Sequence, residues 1–190
     1  WFKVVNHLMI CCLKLTIRKD VIKMMKKRWI ALYVENYSGV LAKISSLFSA
    51  KLYNLDTLTV GKTEDPNTSR MTIGVYCDDV TFEQIKKQLN RFVEVIKVID
   101  LTTMETHTKE LLFIKVKNCS PEDKQNIFQM AQVFEIDIVD IGRKSVLLQC
   151  VHTEKRVDRL IEIFAKQYPN NIIVVRGGAV AIGAINFTER

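Results

Sequence analysis

Apolar residues recur with period two over Arg28–Glu35, where Ile30, Leu32 and Val34 share one face. That alternation predicts a half-buried strand. Ser38 and Gly39 then open a helix, because Val40, Ile44, Leu47 and Phe48 stand at i, i+4, i+7 and i+8. Tyr53–Thr63 and Ser69–Cys77 predict two more strands, joined by the turn Glu64-Asp65-Pro66-Asn67. Proline fixes one dihedral there, and the flanking Asp and Asn favour turns. Phe82, Ile85, Leu89 and Phe92 form a second helical stripe, and Val93–Leu101 closes the unit as a strand. The order is βαββαβ, the ferredoxin-like arrangement.

The same order then repeats. Glu110–Lys117 is a strand, and Ser120-Pro121-Glu122-Asp123 is a helix start with proline in the first turn. Ile127, Met130, Ala131 and Phe134 supply the apolar stripe of that helix. Ile136–Ile141 and Ser145–Val151 are strands around a turn at Gly142-Arg143-Lys144. Val157, Leu160, Ile161 and Phe164 mark a fourth helix, stopped at Pro169. Ile172–Val175 is the last predicted strand, followed by Gly177-Gly178 and a short apolar tail, AVAIGAI. The fold class is therefore α+β, two tandem ferredoxin-like βαββαβ units, joined near Thr102–Thr108.

Charge changes the picture at one place only. The 190 residues carry a net charge of +7 from 28 basic and 21 acidic side chains. Residues 1–28 hold eight of the basic groups and one acid, Asp20, which leaves twenty of each sign from Trp29 onward. A basic face is the footprint of phosphate binding, and the neutral body offers none, so no nucleic-acid partner is expected. The stretch 1–24 mixes apolar and basic residues without clean periodicity. It reads as a basic leader outside the native fold, with the natural chain expected to begin at Met24 or Met25. No apolar run approaches the roughly 20 residues needed to cross a bilayer, so no membrane partner is expected either. The odd count of five cysteines, with no C-x-x-C and no histidine at zinc spacing, points to free thiols in a reducing compartment and a cytoplasmic protein.

Candidate chemistry is sparse. The third strand, SRMTIGVYC, has Tyr76 as its only aromatic and lacks the basic-glycine start of an RNA-recognition strand. The first loop reads NYSG, not C-x-x-C. His107 falls in the linker and His152 ends a strand, neither with a patterned partner, so no catalytic site is expected. The informative segment is Asn36-Tyr37-Ser38-Gly39-Val40-Leu41. A helix start presents unpaired N–H groups and partial positive charge to a carboxylate, glycine allows close approach, and Asn36 can both donate and accept. That combination suits an amino acid. A plain strand-to-helix turn with Ser38 as N-cap explains the local sequence more economically.

A resemblance adds to this. Asn36-x-Ser38-Gly39-Val40-Leu41, Leu47-Phe48-Ser49, Tyr53-Asn54-Leu55 with Leu58-Thr59-Val60, and Asp65-Pro66-x-x-Ser69-Arg70-Met71-Thr72-Ile73 closely resemble the ACT-domain family of acetolactate synthase (acetohydroxyacid synthase) small regulatory subunits. N-x-x-G-V-L is common to many ACT domains; the D-P-x-x-S-R-M-T-I run is far more specific. Glu83-Gln84-Ile85, Val93–Val98, Glu110-Leu111-Leu112 and Ile138-Val139-Asp140 extend the likeness, which covers Lys26 to Gly183. It departs from the family at Leu52, where a glycine usually precedes the Tyr-Asn pair. It departs again at Glu135-Ile136 in place of an Arg-Gly-like pair, and in a C-terminus that reads Arg176-Gly177-Gly178 with Gly183-Ala184.

The resemblance implies an ACT regulatory domain over 26–102 and a C-terminal ferredoxin-like domain over 109–184. It implies a non-catalytic subunit that activates the synthase catalytic subunit and confers feedback inhibition by valine in branched-chain amino acid biosynthesis. No cofactor of its own is implied; thiamine diphosphate, magnesium and FAD are expected in the catalytic partner. It implies a homodimer through the ACT domains, with the effector at the interface. Asn36, Gly39, Val40 and Leu41 would come from one protomer, and Asn54 and Leu55 from the other. The alternatives are a free-standing amino-acid-sensing ACT protein without a synthase partner, or a ferredoxin-like interaction module. A third is nucleic-acid binding through the leader.

Overall fold

The strand alternation converts into two antiparallel sheets. In a computed structural model that describes residues 25–185, the first unit is built from β1 (Lys26–Glu35), α1 (Val40–Ala50), β2 (Leu55–Lys62), β3 (Thr68–Cys77), α2 (Asp79–Leu89) and β4 (Val95–Asp100). The second follows as β5 (Thr106–Lys117), α3 (Pro121–Phe134), β6 (Asp137–Ile141), β7 (Ser145–His152), α4 (Glu154–Gln167) and β8 (Ile172–Gly183). Strand orders are β2-β3-β1-β4 and β6-β7-β5-β8. The two compact units divide between Thr102 and Thr103, Thr57–Thr59 aside. The α+β class and the tandem βαββαβ order are those expected from the pattern. The leader expectation, and Cys11 and Cys12 with it, lies outside the described residues.

Register explains which face is buried. β1 and β3 run antiparallel with Ile30 opposite Ile73 and Leu32 opposite Met71, so these side chains fall on one face. Against that face pack Val40, Ile44 and Phe48 of α1 and Phe82, Ile85 and Leu89 of α2, all buried. The second unit repeats the plan with Leu112, Ile114, Val116, Val146 and Leu148 from its sheet and Ile127, Val157, Leu160 and Phe164 from its helices. Cys77, Cys119 and Cys150 are free and buried, and burial pushes each thiol above its ordinary value. Among the described residues no helix is long and apolar enough to cross a membrane.

Three local expectations are corrected. The first helix does not take Ser38 as its N-cap; Gly39 holds that position at φ 93, and no side chain caps the helix. The chain must turn through the left-handed region there, which glycine does without a Cβ clash. Next, Phe92 lies beyond α2, because Asn90 ends the helix by turning its side-chain amide back onto the Lys86 carbonyl at 3.0 Å. Finally, the apolar tail after Gly177-Gly178 is strand, since β8 runs on to Gly183. A register shift opposite Glu110–Leu112 absorbs one residue, Gly178 accepts φ 75, and Ala179 and Ala181 are buried between exposed Val180 and Ile182. Arg176 anchors that bulge. Its Nε and Nη2 donate to the two carboxylate oxygens of buried Glu110 at 2.7 Å each, and its Nη1 meets Asp158 at 2.7 Å.

Candidate functional site: the start of the first helix

At the end of β1 the chain is held from two sides. The Glu35 N–H donates to the Glu94 carbonyl at 3.0 Å, and the Asn36 N–H to the Asn67 carbonyl at 2.7 Å. The Asn36 side chain is engaged as well: Nδ2 donates to the Pro66 carbonyl at 2.8 Å, and Oδ1 accepts from the Ser69 hydroxyl at 2.9 Å. So the β1–α1 loop is tied to the β2–β3 turn through one residue. That turn is itself preformed. The Thr68 N–H returns to the Asp65 carbonyl at 3.0 Å, while the Asp65 carboxylate accepts from the Asn67 N–H at 3.0 Å and the Thr68 hydroxyl at 2.8 Å. These bonds hold the Asp65 carboxyl below its ordinary value, the Asn67 backbone first.

Three residues on, Gly39 swings the backbone into α1, and its carbonyl accepts the Lys43 N–H at 3.0 Å. A Cβ at Gly39 would meet nothing within 4 Å, so open space adjoins the turn. The helix has no side-chain cap and no acidic residue in its first turn. Of its first N–H groups, that of Val40 turns back to the Tyr37 carbonyl at 3.5 Å, and no side chain caps those that follow. Val40 points inward at 2% exposure, whereas Leu41 is 44% exposed beside the open end. Lys43 and Glu94 form an ion pair, and the Tyr37 hydroxyl hydrogen-bonds to the same carboxylate. The Lys43 hydrogen bond draws Glu94 below its ordinary value, and Glu94 in turn raises Lys43. Tyr37 is pushed up, by burial first and then by the Glu94 and Glu35 charges.

The structure thus brings Asn36, Gly39, Val40 and Leu41 together and leaves Asn54 and Leu55 apart. The latter begin β2, beyond the far end of α1, a helix of 11 residues that spans about 16 Å. There the helix closes in a Schellman arrangement: the Leu52 N–H reaches the Ser49 carbonyl at 3.1 Å and the Tyr53 N–H the Phe48 carbonyl at 2.9 Å. Phe48 and Tyr53 pack edge to face across it. Leu52 stands at φ 56, the left-handed position a glycine usually fills, with its side chain 91% exposed. Asn54 is exposed and Leu55 half-buried. A cavity of about 190 Å³ lies beside them, walled by Leu52, Asn54, Val75, Cys77, Asp78 and Ile85 among others. Among the described residues no group of His, Cys, Asp or Glu could hold a metal ion.

Residue patterns alone passed over Ser69, Tyr37, Lys43 and Glu94. Ser69 carried a readable signal, as the one polar residue at an inward position of β3 where Met71, Ile73, Val75 and Cys77 follow. Lys43 and Glu94 gave none, since they meet only through folding.

Two βαββαβ units in tandem, the first with an uncapped, glycine-led helix, make an ACT-domain-like tandem fold. The AHAS small subunit-like ACT domain matches residues 30–97, and the small subunit of acetolactate synthase matches residues 109–185. A probable acetolactate synthase small subunit from Archaeoglobus fulgidus is 39% identical over 142 residues, covering 75% of this chain and 87% of that protein. The acetolactate synthase small subunit of Haemophilus influenzae is 35% identical, covering 82% and 94% respectively. The crystal structure of the Thermotoga maritima small subunit superposes with a TM-score of 0.77 at 32% identity, covering 85% of this chain and 99% of that one. The chain belongs to the acetolactate synthase small-subunit family. It is kin to the small, regulatory subunit and not to the catalytic one, and its family serves branched-chain amino acid biosynthesis.

Proposed function

We propose that this protein binds the acetolactate synthase catalytic subunit, raises its activity and makes it subject to inhibition by valine. The observation that carries the reading is the start of α1, whose N–H groups have no side-chain cap and which turns on left-handed Gly39, with open space where a side chain would stand. A carboxylate there accepts those N–H groups and meets the positive end of the helix dipole. Exposed Leu41 offers apolar surface to a branched side chain, while Val40 is buried in the core. Asn54 and Leu55 lie too far away in the same chain to share that ligand. A two-fold pairing that sets α1 antiparallel to its mate would bring them beside it, giving two equivalent sites. The ACT domain over 26–102 and the C-terminal domain over 109–184 are then the effector-binding half and the second structural half of each protomer in a homodimer.

On this reading the condensation chemistry, with thiamine diphosphate, magnesium and FAD, resides in the catalytic partner, and both proteins work in the cytoplasm. Family membership does not favour a free-standing sensor. Valine acts on the partner only by binding two states of the assembly with different affinity. Calorimetric titration of valine, with leucine and isoleucine as comparators, tests the site. Saturable binding near one valine per protomer is expected. Absence of binding both to the protein alone and to its mixture with the catalytic subunit would sink the reading.

A further inference from the structure

We propose that Ser69 is a positioning residue for effector binding, acting through Asn36; the inference rests on the effector site assigned above. Ser69 is 6% exposed and lies on the helix-facing side of β3, opposite Val34. A hydroxyl at such a position has to find a partner, and this one donates to Asn36 Oδ1 at 2.9 Å. The other end of the amide meets the Pro66 carbonyl at 2.8 Å. A carbonyl can only accept, so Nδ2 must face Pro66 and Oδ1 must face Ser69. The amide has one orientation, fixed from both ends.

The Asn36 backbone is pinned to the same turn through Asn67, so loop and side chain share one anchor. That anchor resists displacement, because Pro66 has a fixed φ and Asp65 already holds Asn67 and Thr68. From Asn36 to Gly39 the chain has only three residues in which to set the direction of the helix start. A loop that tilts or an amide that turns over there misplaces the N–H groups offered to the ligand. Binding sites lose affinity steeply with such small displacements. The Asp-Pro-x-x-Ser run is thereby tied to the effector loop rather than to the turn alone.

The test is valine affinity in Ser69→Ala and Ser69→Thr, by calorimetry on the full chain, with thermal melting of each variant alongside. Ser69→Ala is expected to raise the valine Kd about tenfold, equivalent to about 1.4 kcal/mol. Ser69→Thr keeps the hydroxyl and is expected to stay within about twofold of the unsubstituted protein. A purely structural role would lower the melting temperature and leave Kd unchanged below the transition. Should Ser69→Ala fail to fold, Asp65→Ala loosens the anchor from the exposed side, with an expected rise in Kd of about threefold. Unchanged Kd in Ser69→Ala, or in Asp65→Ala where that variant decides, overturns the proposal while leaving the effector site intact. No amino-acid binding by the unsubstituted protein, alone or with the catalytic subunit, overturns both.

Discussion

The first helices of the two units begin in opposite ways. α3 starts on a complete capping box: the Ser120 hydroxyl accepts the Asp123 N–H at 3.0 Å, and the Asp123 carboxylate accepts the Ser120 N–H at 2.8 Å. Pro121 fills the first helical position, and Glu122 and Asp123 place negative charge at the positive end of the dipole. α1 has none of these devices and turns on Gly39 instead. The loops before them also differ. Asn36 reaches the β2–β3 turn, whereas Asn118 donates to the Asn171 side chain at 2.9 Å, just ahead of β8. One fold therefore carries one helix start capped by its own side chains and one that no side chain caps. Repetition of a fold preserves the packing and leaves the termini free to diverge, because the core is fixed by the helix faces and not by their ends.

The far ends of the same two helices are alike. Each has a side-chain-bearing residue in the left-handed position, Leu52 at φ 56 and Glu135 at φ 55. The N–H that follows reaches back five residues, Tyr53 to the Phe48 carbonyl and Ile136 to the Ala131 carbonyl, both at 2.9 Å. At Glu135 the strain is offset by Arg156, which donates to the Phe134 carbonyl at 3.0 Å and pairs with the Glu135 carboxylate at 3.3 Å. Leu52 has no such help.

The comparison breaks most sharply with Gly39→Asp. The new carboxylate would occupy the place of the effector's own and add a side chain at φ 93, giving α1 the acidic start that α3 has. Valine Kd is expected to rise at least about 100-fold, which is about 2.7 kcal/mol, with activation of the catalytic subunit retained. Titration calorimetry and a synthase assay without valine check it, and unchanged inhibition would remove Gly39 from the site.

Acid should separate the units next. Asp65, Asp78, Glu94 and Asp100 are held below their ordinary values in the first unit, against Asp123 and Glu162 in the second. A carboxylate with a lowered folded pKa stabilises above its unfolded value, and that stability is lost as pH falls through the folded one. Below about pH 4 the first unit is expected to loosen before the second. Hydrogen exchange followed unit by unit reads this, and simultaneous loss would contradict it.

Removing the capping box with Ser120→Ala is expected to cost about 1 kcal/mol. The chemical-denaturation midpoint should fall, and valine Kd should stay as it was. The smallest effect is Leu52→Gly, which relieves a left-handed side chain at a cost in chain entropy. The net gain is expected to be below about 1 kcal/mol. Glu135→Gly should gain less or lose, since it discards the Arg156 contact. Differential scanning calorimetry of the pair distinguishes them.

The periodicities of Ile30-Leu32-Val34, of Val40-Ile44-Phe48 and of their counterparts in the second unit were enough to order every strand and helix, because burial on one face imposes a local repeat. Ser120-Pro121-Glu122-Asp123 was readable for a similar reason, as a cap closes within four residues. Asn36–Leu41 was readable as a helix start, but the residue at its N-cap was not: Gly39 stands there in place of the expected Ser38, with no side chain over the helix end. The continuation of β8 past Gly177-Gly178 was missed because a bulge breaks the alternation that betrays a strand.

What the amino-acid order determined by itself is the class of fold, the helix faces and the place of the candidate loop, all set by interactions within a few residues. Only the tertiary structure decided that Asn36 joins Ser69 and Pro66, that Lys43 meets Glu94, and that Asn54 and Leu55 stand a helix length from Gly39. Those pairings join residues up to some fifty positions apart. No local periodicity encodes them, because each depends on where a whole sheet and helix bring two distant stretches of backbone.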